Sequence, residues 1–176
     1  LAACCDGVGT KLELAKATGL YRGLGQDLVA MNVNDLVTCG ASPLFFLDYA
    51  ACGKLNVTIL SSIMEGILDA CSESLCALLG GETAEMPGVY GSDGFDLAGF
   101  SVGIVDCDKI IDGSTIKEGD IIVGLPSSGA HSNGYSLVRK ALGADGLNLP
   151  QDLDITPDGW NETVKEAVMR PTKPYV

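Results

Sequence analysis

Four small apolar residues, Ala2-Ala3-Cys4-Cys5, run directly into Asp6-Gly7-Val8-Gly9-Thr10-Lys11. This is the pattern of a buried strand that delivers a carboxylate and a glycine turn at its end. It ties the chain to a sheet-containing fold in which ligands collect at strand ends. The segment places a carboxylate, two glycines, a hydroxyl and an ammonium in six consecutive residues. Gly7 and Gly9 let backbone N–H groups approach an anion. Asp6 is suited to holding Mg²⁺, Thr10 to donating a hydrogen bond, and Lys11 to neutralising phosphate charge. The segment is not a Walker A loop, which needs four residues between its first Gly and Gly-Lys-Ser/Thr. It is not a dinucleotide fingerprint either, because Leu12 stands where a third glycine would be. A plain glycine turn after a strand accounts for the same residues, so the segment alone leaves both readings open.

The rest of the chain alternates strand and helix patterns. Residues 25–39 read as a helix with Asp27 as N-cap or first-turn acid, an inner stripe of Leu28, Met31, Val33, Leu36 and Val37, and Gly40 just past its end. Residues 44–51 read as an apolar strand interrupted only by Asp48. Helical periodicity is clearest over 57–74, where Leu60, Ile63, Met64, Ile67, Leu68 and Cys71 share a face and Asn56 is the candidate cap. Short strands are expected at 76–79 and 120–125, a longer one at 97–105, and a helix at 133–142 capped by Ser132 or Asn133. Residues 88–94 read as a polar turn, and 143–160, rich in Gly, Pro and Asp, as a surface loop. Glycine turns between alternating elements indicate α+β or α/β and do not select a topology.

The chain has 176 residues, enough for one sizeable domain, and 47% of them are apolar. A net charge of −12 argues against nucleic acid or an anionic membrane surface as partner. It leaves Mg·ATP open, since clustered carboxylates recruit Mg²⁺ and the metal inverts the local sign. The seven cysteines lack zinc-site spacing, mostly sit in apolar runs, and read as reduced, buried small hydrophobes of a cytoplasmic protein. No apolar run reaches the length of a membrane span, and no signal or transit peptide is visible.

Four further clusters carry chemistry. Asp35-Leu36-Val37-Thr38-Cys39-Gly40-Ala41-Ser42-Pro43 has the form D-x-x-x-x-G-A-x-P. Gly80-Gly81-Glu82-Thr83-Ala84-Glu85-Met86-Pro87 reads as a second glycine–carboxylate–hydroxyl turn, and Phe95-Asp96-Leu97-Ala98-Gly99-Phe100 as a third. The last is Ser127-Ser128-Gly129-Ala130-His131-Ser132-Asn133-Gly134-Tyr135, leading to Arg139-Lys140, and it holds the only histidine. A carboxylate such as Asp35 near a helix C-terminus is mildly unfavourable with the macrodipole, which hints at function; a solvated helix-end acid is the plain alternative. If Asp6, Asp35 and Glu82 converge, each close pair repels by about 4 kcal/mol at intermediate dielectric, so convergence calls for a cation. The His131 turn of small polar residues before a helix suits an anion, or is an elaborate N-cap. Arg139 and Lys140 read as a solvated helix face.

In this order and spacing, the five clusters closely resemble the aminoimidazole ribonucleotide synthetase family, over residues 1–142 and again at Pro171-Thr172. The resemblance implies an α+β fold, a four-stranded sheet flanked by helices that pairs with a second subunit into an eight-stranded barrel. It implies an N-terminal ATP-binding and dimerisation domain over 1–142, with 143–176 a surface loop and linker. On that footing the chain is a fragment that lacks an N-terminal Gly-rich segment and a second α/β domain.

The implied activity is ATP-dependent cyclisation of formylglycinamidine ribonucleotide to aminoimidazole ribonucleotide, in purine synthesis. The implied ligands are ATP, Mg²⁺ and a small ribonucleotide, and the implied partner is a second copy of the chain. Asp6, Asp35 and Glu82 take the role of metal ligands. Gly7, Gly9, Thr10, Lys11 and Thr83 join them around the nucleotide. Lys11 and Asp96 take the catalytic role, and Ser128, His131, Ser132 and Asn133 hold the substrate. Two alternatives stand beside this: a dimerisation and nucleotide-binding module without turnover, and a related ATP enzyme such as formylglycinamidine ribonucleotide synthetase, selenophosphate synthetase or thiamine-phosphate kinase.

Overall fold

The computed structural model describes residues 1–143 and 153–176. Strand β1 spans Ala2–Gly7, helix α1 Lys11–Thr18, α2 Arg22–Thr38, β2 Ser42–Cys52, α3 Val57–Glu73, β3 Ala77–Glu85 and β4 Phe95–Ile104. A 3₁₀ turn at Cys107–Lys109 and two short helices, α4 (Tyr135–Ala141) and α5 (Val164–Met169), follow. The strands form one mixed sheet in the order β1-β4-β2-β3. β4 is antiparallel to both β1 and β2, whereas β3 is parallel to β2. The fold is therefore α+β, with a four-stranded sheet flanked by helices.

Register makes the sheet a coordinate grid. Asp6, Gly99, Asp48 and Gly81 lie in one row across all four strands, and Gly7, Ala98, Tyr49 and Glu82 lie in the next. Because successive residues face opposite sides, the first row faces the helices and the second faces away. α2 packs on β1, β4 and β2, and α3 packs on β3 and on α2. The core is built from Leu24, Leu28, Val29 and Val33 of α2, Ile63 and Ile67 of α3, and Phe46, Ala50 and Leu97 of the sheet.

α2 and α3 cross without side chains between them. A Cβ on Gly25 would stand 2.2 Å from the Ile63 carbonyl oxygen, and one on Gly66 would stand 2.0 Å from that of Arg22. Arg22 pairs with Glu65 and Asp69 at the rim of this crossing. Being enclosed on several sides, α2 buries Asp27 and Asn32 as well as its apolar residues. Asp27 is thus neither a cap nor a surface acid.

Several expectations hold. Asn56 caps α3, its side chain accepting from Ile59 N at 3.2 Å, and Gly40 follows α2 with φ +80°. Others do not. Leu68 is exposed rather than on the inner face of α3. Residues 80–85 are strand and not turn, because they pair in parallel with β2. Residues 120–125 form no strand, and Ile121 and Ile122 are 90% and 96% exposed, since no sheet edge lies beside them among the described residues. α4 begins after Gly134, and neither Ser132 nor Asn133 caps it. Residues 144–152 of the expected surface loop lie outside the described residues.

Candidate functional site

Asp6 sits at the end of edge strand β1 and is positioned by a buried amide. Asn32 Oδ1 accepts from Asp6 N at 3.1 Å, while Asn32 Nδ2 donates to the carbonyls of Asp6 and Leu28 at 3.3 and 2.8 Å. A Cβ on Gly99 would lie 2.6 Å from Asn32 Nδ2 and 2.4 Å from Phe46 Cζ, so a glycine in mid-strand makes room for this clamp. The Asp6 carboxylate turns back to accept from Gly7 N at 2.8 Å. Asp35, one turn further along α2, is exposed and lies close enough to the Cys4 thiol to help raise its pKa, an effect led by burial. Asp6 and Asp35 thus occupy the same β1–α2 edge.

Glu82 does not join them. β1 and β3 are the two outer strands of the sheet, so Asp6 and Glu82 are three strand spacings apart, about 14 Å. They also belong to rows that face opposite sides. One chain therefore does not bring the three expected metal ligands together, and no cluster of three His, Cys, Asp or Glu side chains fit for a metal exists among the described residues. The β1–α2 edge presents two carboxylates and a glycine turn, an incomplete set for Mg²⁺, which needs several oxygen ligands.

Lys11 also departs from expectation. Its ammonium is wholly enclosed, 2.8 Å from Asp27 Oδ2 and donating to the carbonyls of His131 and Arg170 at 2.9 Å each. The ring of Tyr135 covers it at 5.2 Å. Asp27 Oδ1 accepts from Thr172 N and Oγ1 at 2.8 and 2.7 Å. Burial pushes the Lys11 pKa down and that of Asp27 up, and the mutual contact opposes both shifts. A glycine turn with a lysine suggested phosphate; nothing local in the sequence announced that Asp27, His131 and Arg170 would enclose it.

The His131 turn does meet the first glycine turn. Ser132 Oγ donates to the Val8 carbonyl at 3.0 Å, and the Thr10 and Ser136 hydroxyls are 3.3 Å apart. Ser128 Oγ donates to the Pro171 carbonyl, and Ser128 N donates to His131 Nε2. His131 itself has φ +59°, a left-handed conformation that costs a non-glycine residue energy. Ser128 and Ser132 are thereby engaged internally, leaving Asn133 exposed and His131 half-buried at the surface of the turn.

Asp96 and Thr83 line a separate cavity of about 280 Å³ between the ends of β2, β3 and β4 and helices α1 and α3, with Tyr21, Lys54 and Phe95. Asp96 Oδ1 accepts from Leu97 N. This cavity holds none of Asp6, Lys11, Asp35 or Glu82.

Residues 1–105 match the AIR synthase related protein, N-terminal domain, and residues 117–176 match the AIR synthase related protein, C-terminal domain. The chain belongs to the AIR synthase related family. Over all 176 residues it is 56% identical to a chloroplastic/mitochondrial phosphoribosylformylglycinamidine cyclo-ligase of Vigna unguiculata, covering 44% of that protein. It is 54% identical over the same length to a phosphoribosylformylglycinamidine cyclo-ligase of Myxococcus xanthus, covering 50% of it. The chain spans about half the length of the curated relatives it matches. Among solved structures, a hydrogenase maturation protein HypE aligns over 96% of this chain and 48% of its own at TM-score 0.61 and 18% identity. A HypE in complex with ATP covers 86% and 44% at TM-score 0.60 and 21% identity. At such identity the likeness speaks for the fold alone. No helix among the described residues is long and apolar enough to cross a membrane.

Proposed function

We propose that this chain is part of an enzyme that closes the imidazole ring of aminoimidazole ribonucleotide from formylglycinamidine ribonucleotide, consuming ATP and releasing ADP and phosphate. The observation that carries this is the 54–56% identity, along the whole chain, to proteins named phosphoribosylformylglycinamidine cyclo-ligase. An amide oxygen is a poor leaving group. Transfer of the terminal phosphoryl of ATP to it gives an iminophosphate, and the neighbouring nitrogen then displaces phosphate to close the ring. Such chemistry asks the protein mainly for positioning and charge neutralisation.

Bound Mg²⁺ would supply neutralisation of the triphosphate charge. Asp6 and Asp35 would hold it from the β1–α2 edge, with Gly7, Gly9 and Thr10 presenting donors beside it. Glu82 and Thr83 fit that set only if they come from another copy. A second copy is favoured by the sheet face that no helix among the described residues covers, where Leu79 is 65%, Phe100 39% and Tyr49 38% exposed. Apolar surface of this extent on a sheet with two open edges calls for a partner, and we read the assembly as a homodimer closing an eight-stranded barrel. Asp96, at the start of β4 beside the cavity it lines, would approach the reacting groups from that end of the sheet. Asn133 and His131 would take the phosphate end of the ribonucleotide.

Because the chain spans about half of its relatives, a nucleotide-binding and dimerisation module without turnover is the reading against which the assay is run. A polypeptide of the relatives' length and these 176 residues alone are compared for ATP-dependent formation of aminoimidazole ribonucleotide. Turnover by the longer one supports the proposal; turnover by neither defeats it. Asn133→Ala is expected to weaken formylglycinamidine ribonucleotide, and Asp6→Asn to weaken Mg·ATP. Each effect is about 10- to 150-fold in titration calorimetry, with little change in the other ligand. Equal weakening of both ligands by Asn133→Ala would show that the turn serves the nucleotide.

A further inference from the structure

The Lys11–Asp27 pair stands outside both proposed ligand sites, yet it touches every segment that builds one of them. Lys11 opens α1 directly behind the Asp6–Thr10 turn. Its ammonium has three donors, and all three are spoken for: Asp27, the His131 carbonyl and the Arg170 carbonyl. Asp27 in turn accepts from both donors of Thr172, its N–H and its hydroxyl. The same strap continues down α2, where Gln26 donates to the Thr172 carbonyl at 3.0 Å and Asn34 bonds Lys173 O and Tyr175 N. Arg170 reaches back to the Ser128 carbonyl at 2.9 Å. His131, held at φ +59°, is gripped through its carbonyl by Lys11, through its imidazole by Ser128 N, and against the Tyr175 ring at 6.1 Å.

We propose that Lys11 and Asp27 are positioning residues: the enclosed pair pins the His131 carbonyl and the 170–172 segment, and so sets the exposed groups of the His131–Asn133 turn for an anionic group of the substrate. The reading rests on the function proposed above. A buried ion pair adds little net stability over well-packed apolar residues of similar volume, whereas removing one partner alone is strongly destabilising. An apolar pair can take over the packing, but it cannot donate to the His131 and Arg170 carbonyls. Orientation of the turn is what the pair supplies and a hydrocarbon replacement lacks.

The test uses the polypeptide of the relatives' length with the double substitution Lys11→Met, Asp27→Leu, beside each single substitution. The double variant is expected to fold but to melt below the parent, because the His131 and Arg170 carbonyls and the Thr172 N–H and hydroxyl lose their partners, and to melt above either single variant, which leaves an unpaired buried charge. Its KM for formylglycinamidine ribonucleotide rises about tenfold or more while its KM for ATP stays within about twofold. Equal rises in both KM values, or no rise in either, overturn the proposal; a rise confined to ATP would return Lys11 to the nucleotide phosphates. Hydrogen exchange reads the same claim without turnover. Amides at 128–135 and 170–172 are to exchange faster in the double variant than in the parent, with β2 and β4 unchanged. If the parent forms no aminoimidazole ribonucleotide, the proposed reaction fails, and exchange still decides whether the pair pins the turn: unchanged exchange at both segments overturns it.

Discussion

Edge strands β1 and β3 each carry an acidic glycine motif, and the chain treats the two oppositely. β1 is antiparallel to its neighbour and is clamped from behind by Asn32, so that Asp6 reaches the end of a preorganised element. β3 runs parallel to β2, its adjacent glycines Gly80 and Gly81 put no side chain on either face at that point, and Glu82 and Thr83 stand exposed. One edge is finished within the chain and the other is left for something else to cover. The lesson is that a motif's chemistry does not locate its site: Asp6 and Glu82 carry similar side chains and lie at opposite ends of the grid.

The sharpest way to break this comparison is to mix two damaged proteins. Asp6→Asn and Glu82→Gln are each expected to abolish most turnover of the longer polypeptide. If β1 of one copy completes β3 of the other, refolding the two variants together restores about a quarter of parental activity, since half the random dimers carry one intact site of two. Failure to restore any activity would mean that the two edges serve separate sites.

A smaller effect separates the edges by stability. Asn32→Leu leaves the half-buried Asp6 amide without its acceptor, at a cost of about 1–3 kcal/mol in chemical denaturation. Glu82→Gln, on an exposed edge, is expected within about 0.5 kcal/mol of the parent. Comparable losses would contradict the difference in preorganisation.

The smallest effect lies in the row joining the two edges, at Asp48. Its carboxyl lies over Gly81, where a Cβ would come within 2.4 Å of Oδ1, and burial raises its pKa above the ordinary 3.8. An aspartate with a raised folded pKa contributes stability that is complete below its unfolded value and lost as pH rises through the folded value. Asp48→Asn should therefore melt higher than the parent at pH 7, and the advantage should vanish below about pH 3.8. A gain that persists in acid would assign the effect to something other than the charge.

Much of this architecture was legible before any coordinates. The apolar periodicity of α3 and the apolar runs of β2 and β4 depend on side chains adjacent in sequence or one turn away, and the glycine after α2 stops that helix by local geometry. What escaped depended on partners remote in sequence. α1 follows the glycine turn with a lysine at its first position, which reads as a ligand and not as the start of a helix. β3 is polar enough to read as a turn and becomes strand only because β2 offers it a parallel edge. Residues 120–125 are apolar enough to read as strand and find no edge among the described residues.

The sequence by itself determined most of the helices and strands, the motif set that marks the family, and which residue types stand at each motif position. Those properties reside in residue type and short spacing. Tertiary structure alone decided which of them meet. It carried Lys11 to the carbonyls of His131 and Arg170, across separations of 120 and 159 residues, and enclosed it with Asp27. It also placed Asp6 and Glu82 on opposite edges, because strand order is set by which backbones pair and which helices cover them, not by the residues the strands carry.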